Sequence, residues 1–277
     1  MGEAKDIVLR PIPANEANDL VKRVHYSGRV APNSQLHIGV FYRGKLEGAM
    51  QYGPSLDKRK IQGLVDGTQW HEFIELNRMA FSDVLPRNSE SRALSISMKL
   101  IKKHAPQIKW VVTFADGTQC GDGTIYRAAG FVLTGINFNS SAWILPNGES
   151  VRENTVRQSG YTSWLAPYIT RQKFDELRGG GSASAAVFKY LETKGAKKLE
   201  GAQLRYIYFI DPAYRARLTV PELPYSEIEK RGAGMYKGQP RGTGETDNAG
   251  QSNDQTGGAS PTVPLSNPDV LENSRNG

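Results

Sequence analysis

The middle of the chain shows two hydrophobic periods in succession. Between Ile74 and Ala80 apolar residues are separated by two or four positions, and this period of two predicts a β-strand. From Ala93 to Ile101 they recur every three or four positions, which predicts an amphipathic helix. The following run WVVTF, at 110–114, is apolar throughout and is typical of a buried strand. The order strand, helix, strand predicts a right-handed parallel crossover, with chemistry at the carboxyl ends of the strands.

Further strands are predicted on both sides of this crossover. Their ranges are 7–11, 38–42, 46–52, 131–136, 142–145 and 203–210. The segment 149–201 carries a mostly helical pattern and is predicted to be a helical insertion before the last strand. The sequence therefore predicts an α/β (α+β) protein with a central mixed sheet flanked by helices.

The composition changes at residue 238. From there the chain is rich in Gly, Ser, Asn, Thr and Pro and has almost no aromatic residues. Such a segment cannot bury enough surface to offset the entropy of ordering. We therefore predict one folded domain at 1–237, with the insertion at 149–201, and a disordered C-terminal tail at 238–277.

The formal net charge of +7 is unevenly distributed. Residues 238–277 hold two of the 35 basic and five of the 28 acidic residues, which leaves 33 basic and 23 acidic residues in 1–237. A basic body suits a polyanionic partner, because neutralising phosphates releases counterions. A basic protein that is merely soluble is the alternative that charge alone leaves open.

Cysteine use and hydropathy exclude several classes of protein. Cys120 is the single cysteine, which excludes an intramolecular disulfide and a cysteine-rich zinc site. No apolar run approaches the roughly 20 residues of a membrane span. The start of the chain also lacks the basic, apolar and small-residue order of a signal peptide. These features predict a protein of a reducing cytoplasm.

The loop before the predicted helix has the character of an anion site. Free backbone N–H groups and the helix dipole favour an anion at a helix start. Arg87, Ser89, Ser91 and Arg92 add donors there, and either serine could instead cap the helix. An ordinary capped helix is therefore the alternative, and Glu90 would oppose a phosphate.

Two residues near the end of the crossover could carry chemistry. Asp116 follows the buried strand and could act as a base or orient an amine. Its alternative is a turn-forming Asp-Gly pair. Tyr126 lies on the next short helix and could be an acid, a hydrogen-bond donor or a stacking surface. A half-buried helix tyrosine is the alternative.

Two further positions have unusual chemistry for their place in the sequence. Arg78 is in register with the apolar side of its strand, where a guanidinium needs a partner. His25 and Tyr26 stand in a polar loop and could carry a proton or bind a metal, or have no role. The remaining histidines are scattered, so no metal-ligand spacing is evident.

The element order and the segment GTIYRAAGFVLTG (123–135) resemble the GNAT acyltransferase fold. The resemblance implies a GNAT-like central sheet. The chain departs from that family at RNSESR (87–92), where the glycines of the loop that binds the coenzyme A pyrophosphate are missing.

A more specific resemblance covers the whole predicted domain. It is carried by HYSGR (25–29), LNRMAF (76–81), NSESRALS (88–95), FADGTQCGDGTIYRAAGF (114–131) and LRYIYFIDPAYRARL (204–218). Together these segments resemble the Mom-type DNA modification proteins of bacteriophages. The resemblance implies an enzyme of the host cytoplasm that converts adenine in DNA to a carbamoylmethyl derivative at its 6-amino group and so protects phage DNA from restriction. The catalytic residues it implies are His25, Tyr26, Arg78, Ser91, Asp116 and Tyr126.

The implied reaction has consequences for partners. A base inside a duplex must be flipped out to reach a deep site, and aromatic rings such as Trp143 could stack on it. The partners are then double-stranded DNA and an acyl-CoA or another glycyl or acyl donor. Donor binding is assigned to Arg87, Ser89, Ser91 and Arg92. DNA binding is assigned to Trp143, Arg215, Arg217, Lys230 and Arg231. The family also raises iron as a cofactor, although the sequence shows no ligand set for it.

Two other functions are compatible with the sequence. One is a conventional acetyl-CoA-dependent N-acetyltransferase acting on a small amine or a protein. The other is a non-enzymatic DNA-binding protein.

Overall fold

A mixed sheet of seven strands forms the centre of the fold in the computed structural model. The strands of this sheet are β1 (Val8–Pro11), β2 (Leu36–Tyr42), β3 (Lys45–Gly53), β4 (Phe73–Phe81), β5 (Trp110–Asp116), β6 (Val132–Phe138) and β10 (Ala202–Phe209). The short strands outside it are β7 (Ala142–Ile144), β8 (Ser150–Arg152), β9 (Lys197–Lys198), β11 (Met235–Tyr236) and β12 (Gln239–Pro240). The helices are α1 (Ala14–Val24), α2 (Lys58–Gln62), α3 (Ser89–His104), α4 (Thr124–Ala128), α5 (Arg171–Arg178), α6 (Ala183–Thr193) and α7 (Ser226–Lys230).

The structure describes residues 3–117, 121–138, 142–153, 156, 160–178, 183–199, 201–233, 235–236 and 239–240. Cys120 and, apart from 239–240, the predicted tail at 238–277 lie outside these residues. The boundary of the tail therefore stays a prediction. Among the described residues, none of the helices is long and apolar enough to span a membrane.

The strand order of the central sheet is β1-β2-β3-β4-β5-β10-β6. Strands β4 and β5 are parallel, and α3 connects them, so the predicted crossover is confirmed. The other neighbours pair antiparallel. The predicted class, a central mixed sheet flanked by helices, is therefore confirmed.

Helix α3 packs one side of the sheet. Its buried residues Ala93, Leu94, Met98 and Ile101 belong to the same hydrophobic cluster as Tyr52 and Leu76 of the sheet. The prediction that Ser89 or Ser91 caps this helix is wrong. The N-cap is Asn88, in the left-handed region at φ 68°, and it makes no side-chain cap bond.

The segment between β6 and β10 forms a small subdomain. Strand β7 pairs with β8 and β9 in a three-stranded sheet and does not join the central one. Helices α5 and α6 supply the helical content predicted for this insertion. Its buried residues, among them Phe174 and Phe188, form a hydrophobic cluster of their own.

The two parallel strands separate before they end. β4 pairs with β5 only from Phe73 to Leu76. At that point the register between β3 and β4 shifts, because Tyr52 opposes Leu76 while Gln51 opposes Arg78. Asn77 is therefore an extra residue, which forms a bulge and turns β4 away from its partner. A gap opens between the carboxyl ends of the two strands.

Residues 25–35, which we call the strap, connect α1 to β2 and cross this gap. The backbone N–H of Gln35 donates to Tyr52 O at 2.7 Å, and Ser34 Oγ donates to Asn77 Oδ1 at 3.1 Å. The strap lies close to β3 because Gly53 has no side chain. A Cβ built at Gly53 would lie 2.3 Å from Asn33 O and 2.8 Å from Ser34 Cα.

We predict that Gly53→Ala destabilises the protein by about 1–3 kcal/mol, because the added methyl group overlaps backbone atoms of the strap. The measurement is the urea midpoint of unfolding. Gly63→Ala is the control, since the nearest atom to a Cβ there is 3.6 Å away. Equal midpoints for the two variants would contradict the close approach of the strap to β3.

Candidate active site

Four of the predicted catalytic residues meet at the gap between β4 and β5. Asp116 ends β5, Arg78 follows the bulge on β4, His25 is the C-cap of α1, and Tyr26 begins the exposed part of the strap. Tyr26 Oη donates to Asp116 Oδ2 at 3.3 Å. Arg78 Nε donates to the Arg29 carbonyl at 3.0 Å. The strap therefore joins both strands where they diverge.

His25 is held as a neutral ring in this cluster. Its ring lies 4.3 Å from that of Tyr26, and its Nδ1 accepts the Ser27 backbone N–H at 3.1 Å. The pKa of His25 is lowered to about 4, first by burial and then by the positive charge of Arg78, while the negative charge of Asp116 opposes the change. With Nδ1 acting as an acceptor, the ring proton of the neutral form is on Nε2. At neutral pH the ring can therefore donate a hydrogen bond from Nε2 without carrying charge.

Glu75 is a site residue that the sequence did not reveal. It pairs with Gly53 on one side and with Val112 on the other, so its side chain shares a sheet face with Val112. Alternation along β5 puts Asp116 on that face too. Burial raises the pKa of Glu75, while nearby Ser55, Asn77 and Arg78 lower it. The Ser55 hydroxyl falls short of hydrogen-bond geometry and is unpartnered among the described residues.

Tyr126 is placed in an aromatic cluster under the loop that follows β5. It is 8% exposed, and its ring lies 5.4 Å from that of Tyr206 and 5.6 Å from that of Phe131. Tyr206 Oη in turn donates to the Asp122 carbonyl. Its predicted roles as an acid or a stacking surface stay predictions.

The residues predicted to bind the donor divide into two groups. Arg87, Ser91 and Arg92 line a pocket of about 360 Å³, together with Lys5, Asn88, Ser95, Lys99 and three apolar side chains. The lining holds four basic and no acidic residues, as an anion site requires. Ser89 is not part of this lining. It is fully buried, and its hydroxyl has no hydrogen-bond partner among the described residues.

The basic residues predicted to bind DNA are largely held by bonds within the protein. Both Nε and Nη2 of Arg215 donate to the Glu222 carboxylate at 2.6 Å. Lys230 and Arg231 pair with Glu227 at 3.2 Å and 2.9 Å. Arg217 Nε donates to Asp66 O at 2.6 Å, and its guanidinium lies 4.1 Å from the Tyr214 ring centre. These pairings reduce the charge available to a phosphate backbone.

Trp143 belongs to the core of the small subdomain. Its ring lies 5.4 Å from that of Phe188, and its Nε1 donates to Glu153 Oε1 at 2.9 Å. Only 8% of the residue is exposed. This burial leaves the ring little surface with which to stack on a base.

The residues at the gap do not fit an iron site. Within the part of the chain that the structure describes, no group of three or more His, Cys, Asp and Glu side chains could hold a metal ion. His25 Nδ1 is also occupied by Ser27.

Solved acetyltransferases align with part of this chain at low similarity. An acetyltransferase from Bacillus subtilis in complex with CoA aligns with a TM-score of 0.38 and 10% identity, over 73% of this chain and 97% of that chain. A GNAT family acetyltransferase from Elizabethkingia anophelis with acetyl-CoA bound aligns with a TM-score of 0.35 and 16% identity, over 53% and 93%. Likenesses this distant say nothing about activity.

A family model and one protein relative match the sequence of this chain much more closely than the solved acetyltransferases do. The model of the Mom protein family matches residues 6–227. The methylcarbamoylase mom of Escherichia phage Mu is 32% identical over 216 residues, which cover 78% of this chain and 80% of the phage Mu protein. The residues that match the family model include the strap, the gap and the lining of the basic pocket except Ala4 and Lys5. By both comparisons, this chain belongs to the Mom protein family.

Proposed function

We propose that this chain is a transferase that attaches a carbamoylmethyl group to the 6-amino group of adenine in DNA. The phage Mu relative is named a methylcarbamoylase. The observation that carries the proposal is the contact of Tyr26 with Asp116 at the open end of β5, with Arg78 and His25 beside it. In a phage host, such a change to adenine would protect the DNA from restriction.

The side chains at the gap suit transfer to a weak nucleophile. The 6-amino group of adenine is conjugated with its ring and needs both orientation and a proton acceptor. In the proposed step a bond forms between that nitrogen and the donor's methylene carbon, and an amine proton passes to the Asp116 carboxylate. The bond from the carbon to the leaving group breaks with its electron pair. Arg78 would stabilise the negative charge that develops on the leaving group.

Tyr26 has two tasks in this arrangement. Its hydroxyl donates to Asp116 and so holds the carboxylate in one orientation. Tyr26 is 56% exposed, so its ring can stack on a flipped base. The net charge of the body, with 33 basic and 23 acidic residues in 1–237, would hold the DNA backbone.

The donor is proposed to place an anionic group in the basic pocket beside α3. An acyl-CoA or another glycyl or acyl donor could supply that anionic group. The proposed step also needs the leaving group on the methylene carbon, because displacement at a thioester carbonyl would give an amide instead. Arg87, Ser91 and Arg92 would contact the group, with Lys5 and Lys99 across the pocket.

Cells producing the protein are expected to contain the modified adenine, detected by mass spectrometry of enzymatically released nucleosides. Asp116→Asn removes the proton acceptor and should lower its yield about a hundredfold or more. Tyr26→Phe removes one hydrogen bond to a carboxylate and should lower it about tenfold. Asp175→Asn, an exposed carboxylate on α5, is the control and should match the wild type.

Unmodified adenine under good expression would contradict the proposed reaction. Turnover of a non-DNA amine with acetyl-CoA would identify an N-acetyltransferase instead. Tight, salt-dependent binding of duplex DNA without any modified base would identify a binding protein.

The double variant Arg92→Gln with Lys99→Gln should lower the yield of modified adenine while leaving the affinity for duplex DNA unchanged, because these cations line the pocket. The matched control is Lys102→Gln with Lys103→Gln, on the same helix but outside the pocket. Affinity for DNA is measured by fluorescence anisotropy. A parallel loss of DNA affinity would show that the pocket holds DNA rather than the donor.

The neutral state of His25 predicts a pH dependence of stability. Because its pKa of about 4 in the folded protein lies below the ordinary histidine value of 6.5, its contribution to stability is complete above pH 6.5 and is lost as the pH falls towards 4. The destabilisation caused by His25→Asn should therefore be largest at pH 7.5 and shrink towards pH 4.5 in urea unfolding. The control is the same change at exposed His104. A constant difference between His25→Asn and the wild type would refute the shift.

A further inference from the structure

Three exposed cations flank Tyr26 in the sequence. Lys22 and Arg23 occupy the last turn of α1, and Arg29 lies three residues beyond Tyr26 in the strap. Residues 20–46 hold five Lys and Arg residues and no Asp or Glu. The chain is therefore uniformly positive where it leaves α1 and crosses the gap.

The strap folds back towards α1 and so brings these cations together. The Gly28 N–H donates to the His25 carbonyl at 2.8 Å, which closes a turn with Gly28 in the left-handed region at φ 57°. A Cβ built at Gly28 would lie 3.9 Å from the Lys22 carbonyl oxygen. Arg29 follows Gly28 directly, so its backbone begins beside the last turn of α1.

The backbone of Arg29 is held on both sides, while its side chain is not. Its N–H donates to Ser27 Oγ at 3.3 Å, and its carbonyl accepts from Arg78 Nε at 3.0 Å. The Arg29 side chain is exposed and forms no ion pair within 4.0 Å with any described residue. A cation with a fixed base and an unpaired charge suits an anion from outside the protein.

Lys22 and Arg23 also keep their charges available. Asp19 lies one turn earlier on α1, where a salt bridge to either cation is geometrically possible. None forms within 4.0 Å among the described residues. On α7, by contrast, Lys230 and Arg231 share the carboxylate of Glu227.

The position of these cations suits the sugar–phosphate backbone beside a flipped base. Tyr26 contacts Asp116, so a base that reaches Asp116 passes the strap. The three cations lie within four residues of Tyr26, which is at most about 14 Å of chain. Phosphates of one DNA strand follow each other at about 3.4 Å of helix axis. Long side chains at these positions can therefore reach the phosphates next to the flipped nucleotide.

We propose that Lys22, Arg23 and Arg29 bind the phosphates that flank the flipped adenine, so that the strap docks the DNA as well as closing the site. This inference rests on the proposed function, because it takes DNA as the polyanion. It adds DNA-binding residues that are separate from those that carry out the transfer.

The test measures binding by the full chain, so it does not depend on turnover. Duplexes carry one unpaired adenine, for which flipping costs little, or one unpaired guanine at the same place. The proteins are the wild type, the double variant Lys22→Gln with Arg23→Gln, and Arg29→Gln. Dissociation constants are obtained by fluorescence anisotropy between about 50 and 200 mM NaCl. The slope of the logarithm of affinity against that of salt concentration reports the number of phosphate contacts.

The salt slope should fall by about two in the double variant and by about one in Arg29→Gln. At about 100 mM NaCl the double variant should bind at least about tenfold more weakly than the wild type. The loss should be the same for the two duplexes, because phosphate contacts carry no sequence information.

The matched control is Lys102→Gln with Lys103→Gln, which removes the same number of charges from the last turn of α3. Its salt slope should equal that of the wild type. Cations in a last turn also stabilise a helix through its dipole, and the control shares that loss. Thermal unfolding confirms that each variant is folded. Arg29→Gln lies outside the helices and carries the test if the double variant does not fold.

Three results would overturn the inference. One is an unchanged salt slope in the strap variants. A second is an equal fall in the control, which would reflect net charge alone. The third is a lower yield of modified adenine in cells with unchanged slopes, which would place an anionic donor on these cations. Lower slopes in the strap variants without any modified adenine in cells would support the docking surface and refute only the transfer reaction.

Discussion

The extra residue at Asn77 is the constraint on which the rest of the site depends. Parallel strands normally stay paired, and then their side chains leave no space between them. Here β4 keeps its bonds to β3 through the bulge and leaves β5 after Leu76, while β5 stays paired with β10. The gap is therefore formed by hydrogen-bonded strands on both sides, so its width is fixed by the sheet and not by mobile loops. A site built in this way is preorganised.

The strap gives the gap its chemistry. It brings His25 and Tyr26 from the end of α1 to Asp116 and crosses Arg78 on the way, before it is fixed to β3 by Gln35. The ionic groups are consequently spread over three elements that are distant in sequence. Burial keeps His25 neutral beside Arg78, so the cluster holds one fixed cation and the carboxyl groups of Asp116 and Glu75.

Local signals in the sequence predicted those parts of the structure that depend on neighbours in the chain. Apolar residues at every second position predicted β4, those at every third or fourth position predicted α3, and a continuous apolar run predicted β5. The order of these three elements predicted the crossover. Pairing between distant segments gave no such signal, so the sequence did not reveal that β10 lies between β5 and β6 or that β7 joins another sheet. Glu75 was overlooked for a related reason. A single acidic residue in a strand is ordinary until the bulge and the strap place it beside Arg78.

The position of β10 also determines when the site can exist. Strand β5 stays an open edge until residues 202–209 have been synthesised, because its neighbour on that side comes from late in the chain. The unpaired edge of an apolar strand is prone to pair with a wrong segment. Pairing between segments that are far apart in the sequence is also slow. Asp116 faces Gln203 in that pairing. Its final placement therefore belongs to the last stage of folding, after nearly all of residues 1–233 have left the ribosome.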